Sequence, residues 1–331
     1  KENITGRQVY DSGKKKSKDS QFISTPALTP NRHGYLWQVR VWDKSGKPSE
    51  WSQAQAIRIV GDEMDKSQWI GAITRKDARL PEGRFSNAEF KKDYFVEKWN
   101  PVDTLSSKSI ILRKEFSNGG KTITDAVVYV SGMGHYEMLI NGKKVGDSMF
   151  APLCSEYSKT IYYNTYDVTS LLNKDGNAIN VLLGNGFFNV QRGDRYSKLM
   201  TSFGAPQMTM RMEINYSDGT SKTIVSDGSW KYALSPVTFN SIYGGESYDA
   251  RLVQGKACMP HFDDSAWKNA VLVEGAGGFL EPQTAQPIKI MERFGIKAWN
   301  YLPADSVASA SEKTKRTVSP HTFIADMGQN L

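Results

Sequence analysis

Two short stretches of this chain hold the side chains best suited to chemistry. The first, NSIYGGESYDAR from Asn240 to Arg251, places Tyr243, Glu246, Asp249 and Arg251 around the adjacent glycines Gly244 and Gly245. Two carboxylates close in sequence raise the chemistry of glycoside hydrolysis, in which one carboxylic acid protonates the leaving oxygen and a second carboxylate activates water or attacks the sugar. Residues three apart on a strand point to opposite faces, and on a turn their separation is not fixed, so spacing alone does not make Glu246 and Asp249 such a pair. The residues favour a shaped loop instead. The glycine pair supplies a bend with positive φ, and Asp249 and Arg251, two apart on one strand face, pair with each other or with neighbours.

The second stretch, LLGNGFFNVQRGDRY from Leu182 to Tyr196, follows an apolar strand and collects Asn185, Phe187, Phe188, Arg192, Asp194 and Tyr196 on one loop. A sugar has an apolar face and a polar rim, so its sites combine stacking aromatics with amide, carboxylate and guanidinium groups. The alternative is a loop whose phenylalanines pack into a neighbouring domain. Other reaction classes find no support. There is no nucleophile elbow, phosphate loop, zinc-protease helix or dinucleotide fingerprint. The four histidines, His33, His135, His261 and His321, lie far apart. Two cysteines, Cys154 and Cys258, build neither a disulfide framework nor a four-cysteine zinc site, and spacing does not say whether they pair.

The elements that must position these residues are strands. The chain has 331 residues, 39% of them hydrophobic and 11% aromatic, enough for two or three domains. Tyr35, Trp37, Val39 and Val41 alternate as in a half-buried strand, with Trp37 expected in a core. DAVVYVSGMGHYEMLINGKKVGD reads as two strands broken at Ser131 to Gly134, the second ending in the hairpin pair Asn141-Gly142. Met208, Met210, Met212, Ile214 and Tyr216 fall on one strand face, and their period of two marks a sandwich core rather than a metal box. In HFDDSAW, Asp264 or Ser265 is expected to cap one short helical turn. IKIMERFGIKAWNYLP reads as a strand pair or linker, ADSVASASEKTKR as a polar loop, and HTFIADMGQNL as the start of a new strand. No segment holds helical periodicity over four turns, so the fold class is all-β. The net charge of +7 is spread along the chain, with one tight run at Lys14 to Lys16 that reads as a solvated turn, so no nucleic-acid partner is expected. No apolar run reaches membrane-span length, and the N-terminus lacks a leader pattern, leaving a cytoplasmic protein or one whose leader has been removed.

GHYEMLINGKKVGDSMFAP, YNTYDVTSLL, NAINVLLGNGFF, SIYGGESYDAR and DMGQNL, in this order, resemble the non-catalytic front half of bacterial α-L-rhamnosidases of glycoside hydrolase family 78. YLWQVRVWDKSGKPSEWS resembles the fibronectin-type or immunoglobulin-like module that precedes it. The resemblance implies a partial sandwich over residues 1–62, a jelly-roll-like domain with a carbohydrate-binding-module character over 68–287, and a linker with the start of a further sandwich over 288–331. It further implies a downstream (α/α)6 barrel whose carboxylates hydrolyse terminal α-L-rhamnosyl bonds with inversion. The chain as given lacks that barrel and is expected to be inactive alone, with Glu246 not the general acid. Family members often carry Gly-Trp where this chain has Leu153-Cys154, and Asp and Trp-Tyr where it has Asn185 and Phe187-Phe188. The expected partners are an L-rhamnose-containing carbohydrate and the catalytic domain of the same protein. No cofactor is expected other than calcium, for which Asp147, Asn185 and Asp194 are the candidates. The expected location is exported, in the periplasm.

Overall fold

A computed structural model of the chain describes residues 6–16, 28, 34–57, 64, 66–74, 83–85, 105–190, 200–302 and 322–328. Its centre is a sandwich of two sheets. One sheet runs, in spatial order, Val271–Leu272, Ile70–Gly71, Gln207–Tyr216, Ile123–Met133, Thr160–Asp167 and Phe279–Pro282, with Ser221–Val225 also paired to Gln207–Tyr216. The other runs Lys268–Asn269, Lys231–Leu234, Ile110–Ser117, Gly176–Gly184, His135–Ile140 and Lys143–Lys144. Within these sheets the pairings are antiparallel except that Thr160–Asp167 and Phe279–Pro282 run parallel.

The period-two pattern fixes which faces meet. Met208, Met210, Met212 and Ile214 are fully buried and pack with Val128 and Val130 against Leu112, Met138, Ile140, Ile179, Val181 and Leu183 of the opposite sheet. Each such side chain contributes roughly 1.5–3 kcal/mol of transfer free energy, and the methionines fill the irregular gaps between branched partners. The strand Ile123–Met133 is buried on both faces: Val127 and Tyr129 point away from the main core and pack with Met64, Tyr163 and Leu280. This strand does not break at Ser131, as its sequence predicts; it runs on to Met133, and the chain turns at Gly134 alone. Asn141 and Gly142 both adopt positive φ, 52° and 78°, and join His135–Ile140 to Lys143–Lys144 in the tight hairpin expected for that pair.

Arg113 is 1% exposed and ties the segment after Gln254 to the second sheet. Its Nε donates to the Ala257 carbonyl at 3.0 Å, its Nη2 to the Met259 carbonyl at 3.1 Å and to Glu115 at 2.5 Å, and its Nη1 to the Asp264 carboxylate. Lys231 Nζ meets the other oxygen of Asp264 at 2.6 Å. Burial works to raise the pKa of Glu115 and of Asp264, but hydrogen bonds from Arg113 and Lys231, the His261 amide and the nearby positive charges outweigh it and hold both below the usual carboxylate range. The expected helical turn capped by Asp264 or Ser265 is absent. Asp264 is spent on Arg113 and Lys231, and Asp263 accepts from the Ser265 amide in a plain turn.

In the N-terminal region Tyr35–Trp37 pairs with Gln55–Ile57. The strand ends at Trp37 instead of continuing to Val41, and Trp37 is 49% exposed, so it is not the core aromatic its alternation predicts; Tyr35 is the buried ring. Separately, Ser148–Met149 pairs with Ile288–Lys289, and Ala298–Leu302 with Thr322–Asp326. These two ladders form a compact unit of residues 147–149 and 288–331 distinct from the sandwich. The polar ADSVASASEKTKR loop lies outside the described residues.

Candidate functional site

One end of the sandwich is built where three backbones cross. Gly134 (φ 114°) and Gly186 (φ 51°) face each other: a Cβ on Gly134 would overlap the Gly184 carbonyl oxygen, and one on Gly186 would lie 2.9 Å from the His135 amide nitrogen. Only residues without a side chain permit that approach. A buried amide relay then fixes the crossing. The Asn185 backbone amide donates to Asn240 Oδ1 at 2.7 Å, and its side-chain nitrogen donates to the carbonyls of Ser107 and Asn240 at 2.9 and 3.1 Å. Asn189 Nδ2 donates to Asn185 Oδ1 at 2.9 Å and to the Ser106 carbonyl at 2.8 Å, while Asn240 Nδ2 donates to Ser109 Oγ at 2.7 Å.

Two of the sequence candidates are corrected by this arrangement. Asn185 is fully buried with both ends of its amide occupied, so it is a structural latch and offers no group to a sugar or ion. Phe188 is also fully buried, packed with Met133, Tyr157 and Ile161, its ring edge-on to Tyr157 at 5.1 Å. Phe187, in the same turn of residues 186–188, is only partly buried and reaches the surface. There it joins a row the sequence did not reveal: Phe150 to His135 at 5.5 Å, His135 to Phe187 at 6.3 Å, and Phe187 to Tyr243 at 6.3 Å between ring centroids. Phe150 is 53% exposed with φ 51°, a left-handed conformation that costs a bulky residue roughly 1–3 kcal/mol and is found chiefly where surrounding structure imposes it for function.

Burial of the His135 ring between Phe150 and Phe187 lowers its pKa to about 4. The folded value is depressed below the unfolded one near 6.5, so between the two the unfolded chain takes up a proton the folded chain refuses. The site is therefore at full stability above pH 6.5 and loses it as pH falls toward 4, by about 2 to 3 kcal/mol. Urea titrations at pH 7 and pH 4.5 check this. His135→Gln should flatten that part of the pH dependence, and an unchanged slope would assign it to other groups.

The NSIYGGESYDAR stretch is a hairpin, Val237–Ser241 against Gly245–Tyr248, in register Asn240↔Glu246. Gly245 alone of the two glycines has positive φ, 82°. Glu246 is exposed on the hairpin's second arm. Asp249 and Arg251 do pair, at 2.6 and 2.9 Å, but across a short 3-10 turn that Asp249 caps, rather than on a shared strand face. The side-chain and backbone bonds from Arg251 lower the pKa of Asp249 to about 2, so it stays a carboxylate and is unsuited to donate a proton. A Cβ added at Gly245 would meet nothing within 4 Å, so Gly245→Val should cost only the conformational strain of about 1 to 3 kcal/mol. Thermal unfolding measures it, and a Gly245→Val loss under 0.5 kcal/mol would mean the turn tolerates another geometry.

Arg192, Asp194 and Tyr196 lie outside the described residues. Among the described residues no group of three or more His, Cys, Asp or Glu side chains could hold a metal ion. Of the calcium candidates, Asp147 faces Lys289 Nζ at 2.7 Å and Asn185 is consumed by the latch. Cys154 and Cys258 are unpaired thiols. Among the described residues no helix is long and apolar enough to cross a membrane.

The family model described as "Alpha-L-rhamnosidase N-terminal domain" matches residues 121–292, just over half of the chain. The model described as "Rha78A-like, N-terminal immunoglobulin domain" matches residues 2–60. An α-L-rhamnosidase of Formosa agariphila is 36% identical over 99% of this chain and 33% of its own length. Among solved structures, the α-L-rhamnosidase from Dictyoglumus thermophilum is 31% identical, with a TM-score of 0.61 over 83% of this chain and 28% of that one. The Streptomyces avermitilis α-L-rhamnosidase complexed with L-rhamnose, 21% identical with a TM-score of 0.71 over 88% of this chain and 42% of that one, shares the fold. The chain thus spans about a third of the length of the curated relatives it matches. The sandwich with its crossed glycine loops, the family model over its central half and the 36% identity along nearly its whole length together make this chain a member of the α-L-rhamnosidase N-terminal domain family.

Proposed function

We propose that this chain is the N-terminal accessory part of an inverting α-L-rhamnosidase that removes terminal α-L-rhamnosyl residues from glycans or glycosides, and that it supports and orients the catalytic barrel. The carrying observation is the row Phe150, His135, Phe187 and Tyr243, mounted on a rigid crossing and held out by a strained Phe150. An aromatic strip on an otherwise well-packed domain is the kind of surface that a partner covers. The parent's chemistry needs two carboxylates, one protonating the glycosidic oxygen and one activating water. Asp249 is locked to Arg251, and Glu246 lies exposed on a hairpin arm. The parent should hydrolyse an aryl α-L-rhamnoside and this chain alone should not. In the parent, Glu246→Gln should slow turnover by well under the ~100-fold expected of a general acid or base. Turnover by the chain alone that Glu246→Gln abolishes would sink the proposal.

The same row favours a second reading, an autonomous binding module for rhamnose or rhamnose-bearing glycans, since ring faces stack on sugars. Titration calorimetry with L-rhamnose, with and without calcium, separates the two. Heat at millimolar sugar that Phe187→Ala removes supports binding, and a calcium requirement would restore the metal to the account. For the parent we propose an exported, periplasmic location, where such glycans are met; recovery of the parent only in the cytoplasm on fractionation would contradict it.

A further inference from the structure

We infer that the N-terminal region carries a docking face for a polyanionic polysaccharide, built on the ladder Lys14, Trp42, Arg40 and Trp51. Arg40 lies two residues before Trp42 and against its ring. The Arg40 guanidinium lies 5.1 Å from the Trp42 ring centre and 4.5 Å from that of Trp51, and Lys14 Nζ lies 5.5 Å from the Trp42 ring centre. The backbone beneath is fixed: Val39 N donates to Ser52 Oγ at 3.0 Å, Ser52 N to the Val39 carbonyl at 2.8 Å, and Ser49 N to the Val41 carbonyl at 2.8 Å. Trp42 bridges to Pro48, and Asp43 closes the turn between them by accepting from the Lys47 amide at 2.9 Å.

The ladder is not a sealed structural stack. Arg40 is exposed and its guanidinium makes no hydrogen bond among the described residues, so a fork of donors resting against two indoles keeps its hydrogen-bonding capacity for a partner. Such a fork suits the paired oxygens of a sulfate ester or carboxylate. Trp51 is 50% exposed, which leaves ring surface for the apolar face of a pyranose. The surroundings are basic. The described residues between 6 and 57 hold seven Lys and Arg against three Asp and Glu. Lys15, Lys16, Lys44 and Lys47 are exposed and in no ion pair among the described residues, while the Asp43 carboxylate is taken up by its own turn. Charge complementarity thus asks for an extended anionic partner. The choice of a glycan over a nucleic acid rests on the proposed rhamnosidase reading.

The test is binding of the whole chain, by affinity electrophoresis and calorimetry, to dextran sulfate, to neutral dextran of the same length and to poly(dT). Dextran sulfate should bind with an affinity that falls as salt rises, since neutralising each anionic site releases counterions. Neutral dextran should not retard the chain. Arg40→Gln should weaken binding about tenfold or more, and so should the triple change Lys14→Gln, Lys15→Gln, Lys16→Gln. The lysine changes touch only exposed ends and keep the outcome readable if Arg40→Gln disturbs the local fold. Dextran sulfate binding unaffected by the triple change, equal retardation by neutral dextran, or poly(dT) bound as tightly would each overturn the inference. None of these readouts needs turnover, so failure here is distinct from failure of the parent to hydrolyse a rhamnoside.

Discussion

Gly134→Ala is expected to destabilise the sandwich by about 3 kcal/mol or more, the sum of a left-handed φ no alanine adopts cheaply and an overlap that backbone must move to relieve. The φ of 114° and the Gly184 carbonyl directly in the path of a new Cβ leave no compliant side chain to yield. Because Gly186 and His135 meet at the same crossing, the damage should spread to the aromatic row. Chemical denaturation gives the energy, and near-ultraviolet circular dichroism reports the rings. A loss below 1 kcal/mol with unaltered ring signals would mean that the two loops do not cross as described. Gly119→Ala, at a positive φ with nothing within 4 Å, provides the control for strain without collision.

Arg113→Met should cost about 3 kcal/mol, because it removes the one cation that joins Glu115 and Asp264 and strands the Ala257 and Met259 carbonyls beneath. Glu115 and Asp264 each keep part of their surface in water, at 30% and 22% exposure, which holds the cost toward the low end for a broken buried pair. The pH response adds a signature. Both carboxylates have depressed folded values, so the stability they contribute is present above the unfolded range near 4 and is lost as pH falls below it. The methionine variant should be weaker at pH 7 and should show a shallower acid-driven decline, since Lys231 still pairs with Asp264 and the His261 amide with Glu115. A variant as stable as the parent chain would reduce the cluster to surface decoration.

What was legible in the sequence is what local periodicity encodes. The methionine stripe from Met208 to Met212 reads as sandwich core because a period of two can bury only one face, and Asn141-Gly142 reads as a hairpin because both residues accept positive φ. The aromatic row was not legible, since its rings come from positions 135, 150, 187 and 243 and meet only once three loops cross. Phe187 and Phe188 show the limit within one dipeptide. The pair reads as two like aromatics on one loop, whereas the turn they occupy buries Phe188 fully and leaves Phe187 in the aromatic row beside His135. Asn185 misleads for a related reason: an amide among aromatics fits a sugar site, and only the partners at Ser107, Asn189 and Asn240 turn it into a latch. Trp37 alternates like a core residue, but its strand is three residues long and ends with the ring exposed.

The account rests on the aromatic row being the surface through which this part of the protein meets the rest of its enzyme. Hydrogen exchange of peptides covering 134–137, 149–153, 185–188 and 242–246, compared between this chain alone and the full-length parent, tests that directly. Slower exchange of these peptides in the parent, by about tenfold or more with the sandwich core unchanged, is the predicted result. Equal exchange in the two forms would contradict it.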